Sequence, residues 1–104
     1  MVTEPLLDDI RALVAAPVTG ERDRFLDDLE RTLTDGYAHA LALESERRRL
    51  ERRRGELLGA KGIDDLTQQL AVLTAGIVEA DERLGELRSL LDSLRRRASA
   101  LRAA

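Results

Sequence analysis

LTQQLAVLTAGIVEADERLGELRSLLDSLRRRASAL, residues 66–101, is the stretch that decides the fold. Its apolar residues recur at alternating steps of four and three: Leu66, Leu70, Leu73, Ile77, Ala80, Leu84, Leu87, Leu91, Leu94, Ala98 and Leu101. A series of this length without a polar residue indicates one face of a long helix that packs along a partner helix. We therefore predict a helix over residues 64–102.

A second seven-residue repeat runs through residues 21–58 and supplies the partner helix. Its a positions are Leu26, Leu33, Ala40, Arg47 and Arg54, and its d positions are Leu29, Gly36, Leu43, Leu50 and Leu57. The repeat keeps its phase through Gly36, which predicts one continuous helix over 20–58. The turn over 59–63 is so short that the two helices must be antiparallel neighbours. The sequence therefore predicts an all-α fold built on a long antiparallel two-helix coiled-coil hairpin.

Side-chain volumes suggest how the two helices are aligned. In one possible register, the residue numbers of two facing positions add up to about 127. Gly36 then faces Leu91 and Ala40 faces Leu87, so that small residues lie against large ones. A register in which the residue numbers add up to about 120 would set Ala40 against Ala80. Two small side chains would then leave the seam underpacked at that point. We therefore favour the first register.

A short amphipathic helix is predicted over residues 4–16, ahead of the hairpin. Its apolar residues are spaced to share one face: Leu6, Leu7, Ile10, Leu13 and Val14. Thr3 is a candidate N-terminal cap, and Pro17 ends the helix because the residue before a proline is driven out of the α conformation. After the turn at 59–63, Asp64 is the candidate cap of the last helix.

Three apolar side chains lie beside the seam near the ends of the hairpin: Phe25, Tyr37 and Leu90. They need a cover, and the first helix has the apolar face to provide it. We therefore expect a three-helix base and a two-helix stalk, which together form one helical domain over 1–104. If the cover is incomplete, the same three side chains would form a groove for a partner helix.

The composition argues against catalysis and metal binding. Cysteine is absent and His39 is the only histidine, so neither thiol chemistry nor a histidine-rich metal site is expected. A two-stranded coiled coil also has no interior pocket in which the pKa of a catalytic acid or base could be shifted. We expect no enzyme activity, no cofactor, no metal and no small-molecule substrate.

Charge and hydropathy indicate a cytoplasmic protein. The formal net charge of −3 is too near balance to make nucleic acid or an anionic membrane the principal partner. The opening Met-Val-Thr-Glu-Pro lacks the features of a secretory signal, and no apolar stretch approaches membrane-spanning length. Lys61 is the only lysine beside many arginines, which we interpret as the composition of a bacterial genome rich in G and C.

An arginine tract follows the middle of the second predicted helix. Residues 46–54 read ERRRLERRR, and the tract offers four candidate partner-binding side chains: Arg48, Arg49, Arg52 and Arg53. Such a cluster could contact phosphates. The acids at 46, 51 and 56 support a structural interpretation instead, in which the tract is a solvated helix face. No aromatic residue interrupts the tract to stack on a base.

The tip of the hairpin is a second candidate site, with Lys61, Asp64 and Asp65 as its charged residues. A coiled-coil hairpin with an acidic tip resembles, in shape, the transcription factors whose coiled-coil finger enters the secondary channel of RNA polymerase. The resemblance implies a nucleic-acid-linked or transcription function. Both acids are explained equally well as the cap and first-turn acids of a helix.

The leading hypothesis from the sequence is a non-catalytic protein–protein interaction module, such as an adaptor, scaffold or assembly subunit. The expected partner is a second copy, because four apolar residues lie off the seam: Leu41, Leu58, Val72 and Val78. The alternative is a coiled-coil transcription or nucleic-acid-binding factor that uses the arginine tract or the tip. A third possibility is a chaperone that holds a client helix against Phe25, Tyr37 and Leu90.

Overall fold

Three helices and no strand make up the part of the chain that the computed structural model describes, residues 3–18, 20–60 and 64–104. They are α1 (Glu4–Ala15), α2 (Arg22–Gly59) and α3 (Leu66–Ala103). Helices α2 and α3 have 38 residues each and pack side by side, which gives an elongated molecule of 63 × 17 × 16 Å. The predicted all-α hairpin is confirmed.

The register of the hairpin is fixed where Gly36 is buried against Leu91. A Cβ atom at position 36 would overlap the Leu91 side chain, so the absence of a side chain lets the two helices approach closely. Closer to the tip, a Cβ at Gly76 would lie 3.3 Å from Leu50 Cδ1. Both contacts agree with the predicted pairing of small against large residues, and α2 runs through Gly36 without a break.

Helix α1 packs at the base of the hairpin, chiefly against α3. Leu7 and Ile10 are fully buried there, in the same core as Leu29, Leu87 and Leu94. Charged side chains flank this apolar contact, because Glu4 pairs with Arg83 and Arg11 pairs with Glu86. These pairs run in the same order along both helices, so α1 lies parallel to α3 and antiparallel to α2. The predicted three-helix base is present.

Arg97 closes the C-terminal end of α1. Its guanidinium donates hydrogen bonds to the carbonyl oxygens of Leu13 at 2.7 Å and Val14 at 2.8 Å. It also lies 5.1 Å from the ring centroid of Phe25, within cation–π distance. Helix α1 leaves its last carbonyls without partners inside the helix, and a cation from α3 satisfies two of them. The chain then becomes extended at Ala16, as expected before a proline.

The predicted helix caps are wrong in detail. Thr3 stands at the N-cap position of α1, but its side chain makes no cap bond; it is buried and shares a 3.0 Å hydrogen bond with His39 Nε2. Helix α3 is preceded by Asp65 and not by Asp64, and the Asp65 side chain makes no cap hydrogen bond. The backbone of Asp65 has the left-handed conformation, with φ 58°, which aspartate tolerates better than most residues. Because a left-handed residue cannot belong to a right-handed helix, the helix begins after it, at Leu66.

Candidate partner-binding surface

An open groove continues along the hairpin from the point where α1 begins. Its base-side half encloses about 330 Å³ and is lined by Thr3, Leu43, Glu46, Leu50, Val72, Leu73, Gly76, Glu79, Ala80 and Arg83. Its tip-side half encloses about 450 Å³ and is lined by Arg53, Leu57, Asp65, Gln68, Gln69, Val72 and Leu73. Val72 and Leu73 belong to both halves, so the two are continuous. Among residues 3–18, 20–60 and 64–104, none covers the groove between the start of α1 and Asp65.

The floor of the open groove is apolar. Leu57 is buried, Leu50 and Leu73 are half-buried, and Val72 stands at the rim with 66% of its surface exposed. A bound helix that covered Val72 would gain about 1–2 kcal/mol from that side chain alone. Gly76 beside it has no side chain, and Leu50 packs against it, so the two residues together form this part of the floor. These features suit an apolar side chain on a partner.

The ion pairs beside the open groove lie along its edges. Three of them lie within one helix: Glu46 with Arg49 at 2.9 Å, Arg53 with Glu56 at 3.5 Å, and Glu79 with Arg83 at 2.9 Å. A fourth joins Arg83 to Glu4 of α1 at the base end of the groove. The hydrogen bonds that Arg83 donates to Glu79 and, in second place, to Glu4 raise the pKa of Arg83 above its ordinary value. In the described residues, no ion pair crosses the open groove from α2 to α3.

The opposite face of the hairpin is closed by ion pairs that do cross from α2 to α3. Glu30 pairs with Arg102 at 2.8 Å, and Glu44 pairs with Arg88. On each helix these partners are fourteen residues apart, two heptads, so they lie on one face. We call this surface the ladder face.

Arg47 extends the ladder face towards the tip. Its guanidinium pairs with Asp81 of α3 and with Glu51 of its own helix. The hydrogen bond that Arg47 donates to Asp81 makes the largest contribution to raising the pKa of Arg47 above its ordinary value. Arg47 therefore occupies a seam position as predicted, with its charge drawn to the surface.

The three residues of the predicted base groove do not lie together. Phe25 is buried in the base core under Arg97, and Leu90 is half-buried against the same core. Tyr37 is 44% exposed and lines the ladder face together with Leu41. The expectation that α1 covers all three is therefore wrong for Tyr37, because α1 lies on the other side of the hairpin.

The four off-seam apolar residues are exposed, between 50% and 66%: Leu41, Leu58, Val72 and Val78. They do not share one face. Val72 lines the open groove with Thr3, whereas Leu41 lines the ladder face with Tyr37. A single two-helix interface can therefore bury Val72 or Leu41, but not both.

The arginine tract is largely engaged by local partners. Arg49 and Arg53 pair with glutamates one turn away, and Arg48 donates a 3.2 Å hydrogen bond to Ser45 Oγ. Arg52 is exposed. Arg53 thus lines the open groove, and Arg49 pairs with Glu46 at its edge. Arg48 lies on the side of the ladder face. The tract is not one continuous cationic surface.

At the tip, Asp64 and Asp65 are both exposed just before α3, and Lys61 lies outside the described residues. Asp65 lines the tip-side half of the open groove. Its carboxylate therefore belongs to the same surface as Val72. Asp64 contributes its backbone carbonyl, which accepts a 3.3 Å hydrogen bond from Gln69 Nε2.

The described residues form neither a metal-binding cluster nor a helix suited to crossing a membrane. Within residues 3–18, 20–60 and 64–104, no group of three or more His, Cys, Asp or Glu side chains could hold a metal ion. His39 is engaged by Thr3 at the base. Over the same ranges no helix combines the length and the apolar character that a membrane crossing requires.

Sequence reasoning missed Arg97, and it assigned Thr3 a capping role in place of its hydrogen bond to His39. Arg97 precedes seam residue Ala98, so the repeat places it at the edge of the base, where it could have been predicted to face α1. Thr3 gave no comparable signal, because its partner His39 is 36 residues away. Neither a family model, nor a curated protein, nor a solved structure matches the chain. Function is therefore inferred from the surface itself.

Proposed function

We propose that the chain is a non-catalytic protein–protein interaction module that binds a helical partner in the open groove. One observation carries the proposal. The groove that holds α1 at the base continues to the tip with an apolar floor, and in the described residues nothing covers it. Apolar surface left in a groove of this kind is typical of a docking site for an amphipathic helix.

Helix α1 supports the choice of a helical partner. It shows the two requirements for binding this face: Leu7 and Ile10 fill the seam between α2 and α3, and Glu4 and Arg11 pair with charges on the rim. The free part extends from the level of Arg83 to that of Asp65, roughly 27 Å at the rise of an α-helix. This length accommodates about five helical turns.

We place this module in the cytoplasm, with a second copy as the favoured partner. A chain without cysteine suits a reducing compartment. The rim of the open groove carries both signs of charge, including Glu46, Glu79, Arg53 and Arg83. A partner with both signs therefore fits this rim better than a uniformly charged polymer does.

Nucleic-acid binding through Arg48 and Arg52 is the second candidate. These two side chains are one turn apart and exposed, and within the described residues neither has a carboxylate partner. Retention of the chain on heparin or duplex DNA at low salt tests it. Replacement of both by Gln should abolish retention if this candidate is correct, and a wild-type chain that is not retained rules it out.

Site-specific photo-crosslinking in the native host tests the proposed function. A benzophenone amino acid at position 72 should give a protein adduct, because Val72 lies in the open groove. The matched control is position 78, which is also an exposed valine of α3 but does not line the groove. No adduct from position 72, or equal adducts from 72 and 78, would contradict the proposal.

A further inference from the structure

We infer that the occupant of the open groove is a second copy of this chain, bound antiparallel so that the tip halves of two hairpins form a four-helix bundle. The inference rests on the proposed function and specifies its partner. The contact face is the open groove, and the two copies run in opposite directions. Each α1 would lie beyond the end of the shared bundle.

The position of α1 selects the antiparallel orientation. Helix α1 occupies the base half of this face, from the level of Arg83 to that of Arg97. Two hairpins stacked in parallel on this face would bring both α1 helices to the same place, which would hold the tip halves apart. Antiparallel stacking lays the free half of each hairpin on the free half of the other. Every neighbouring pair of helices in the resulting bundle is antiparallel, the common arrangement for short hairpins.

The apolar parts of the groove face each other in this arrangement. The middle of the free groove lies near Thr74 on α3, and a two-fold axis there places Val72 of one copy over Gly76 of the second. The symmetry repeats the contact with the roles exchanged. Val72 is the most exposed apolar side chain among the described residues that line the groove, whereas Gly76 has no side chain and packs against Leu50. The axis therefore brings an exposed apolar side chain onto the apolar floor twice.

Charges at the two ends of the groove are also complementary. Asp65 at the tip end of one copy comes to the level of Arg83 at the base end of the second, and the pair occurs twice. On α2, Glu56 comes to the level of Arg49 of the second copy in the same way. Arg53 is the exception, because it lies near the axis and meets its own equivalent. Opposite charges at both ends favour the antiparallel direction of pairing, and the contact between the two Arg53 side chains weakens the dimer.

The size of the surface sets the expected strength. A free length of roughly 27 Å across a molecule 17 Å wide gives a planar contact of about 460 Å² per copy. Stable complexes bury about 800 Å² per partner, so this interface is at the small end of the range. We therefore expect a reversible dimer with a dissociation constant in the micromolar range.

Sedimentation equilibrium of the purified full chain tests the inference. The wild type should change from 11.6 kDa to twice that mass as its concentration rises through the micromolar range. Val72→Asp should weaken association at least tenfold, and the matched control Val78→Asp should leave it within twofold. Arg53→Leu should strengthen it, because the replacement removes the like-charge contact at the axis. A monomer up to about 1 mM, or equal effects at positions 72 and 78, would overturn the inference.

A distance between spin labels tests the orientation. The chain has no cysteine, so Ser89→Cys provides one label site per copy, on an exposed part of α3. Position 89 is fifteen residues from the axis, and antiparallel pairing separates the two labels by roughly 45 Å or more. Parallel pairing would place them within about 25 Å. The short distance would overturn the antiparallel bundle.

The crosslink at position 72 separates the inference from the proposed function. An adduct at twice the chain mass supports both. An adduct with a different protein, from a chain that sediments as a monomer, supports the proposed function and rejects the second copy as the occupant. The absence of any adduct, with a monomeric chain, rejects both.

Discussion

Gly36 of α2 lies directly against Leu91 of α3, where a Cβ atom at position 36 would be only 3.3 Å from Leu91 Cγ and would overlap Cδ2. Leu91 is itself 2% exposed and belongs to the core, so a methyl group at position 36 would have to displace a packed side chain. This contact fixes the register of the two long helices. The alignment of every ion pair on the ladder face follows from it.

Gly36→Ala should destabilise the hairpin by about 1–3 kcal/mol, because the added methyl group overpacks the seam. Gly85→Ala is the matched control: position 85 is an exposed interior position of α3 with nothing near a Cβ atom. The control should stabilise by about 0.5–1 kcal/mol through helix propensity. Urea unfolding followed by circular dichroism measures both. Equal and stabilising effects would show that Gly36 is not in tight contact.

Arg97→Met should loosen α1 by about 1–2 kcal/mol, because it removes two hydrogen bonds to α1 carbonyls and the contact with Phe25 while it keeps most of the aliphatic side chain. Hydrogen exchange should accelerate in α1 and stay unchanged in the tip half of α3. The neighbouring Arg96 supplies the control, because it is exposed, pairs with Asp92 and donates a 3.5 Å hydrogen bond to Ser93 Oγ of its own helix. Arg96→Met should change stability by no more than about 0.5 kcal/mol.

The hairpin could be predicted from the sequence because the sequence features that specify it are local and periodic. Eleven seam positions of α3 and the phase kept through Gly36 specify two helices, and the short turn specifies their direction. The register was also accessible, because Gly36 needs a large residue opposite. Helix ends were less accessible, since the left-handed turn at Asp65 depends on the path of the whole tip.

The face of the hairpin on which α1 packs could not be predicted from the sequence. Phe25, Tyr37 and Leu90 are all apolar and close to the seam, so spacing alone gives no reason to assign Tyr37 to the opposite face. What decides the matter is a set of contacts between distant positions, such as Glu4 with Arg83 and Thr3 with His39. The open groove depends on this choice of face, and therefore could not be located from the sequence either.

Arg47→Leu should stabilise the stalk by about 1 kcal/mol. Arg47 occupies a seam position at 34% side-chain exposure, where an apolar side chain packs better than a charge drawn towards the surface. Its partners Asp81 and Glu51 are exposed enough to be solvated without it. Arg48→Leu, one residue along and outside the seam, should change stability by less than about 0.5 kcal/mol. Thermal unfolding distinguishes the two, and a lower melting temperature for Arg47→Leu would count against the seam assignment.

Thr3→Val and His39→Ala should be coupled. Thr3 is 3% exposed and its hydroxyl hydrogen-bonds His39, so either single replacement should cost about 0.5–1.5 kcal/mol. The double replacement should cost less than the two singles added together. A double-mutant cycle in urea measures the coupling. Strict additivity would mean that the hydrogen bond contributes nothing to the attachment of α1.

The most direct test of the account is a methyl NMR spectrum of leucine- and valine-labelled chain, recorded from about 10 μM to about 1 mM. The open groove is the binding surface in this account, so the methyl signals of Leu50, Val72 and Leu73 should shift with concentration, while those of Leu41 and Val78 stay in place. Shifts confined to Leu41 or Val78 would contradict it, because they would place the interacting surface elsewhere on the hairpin.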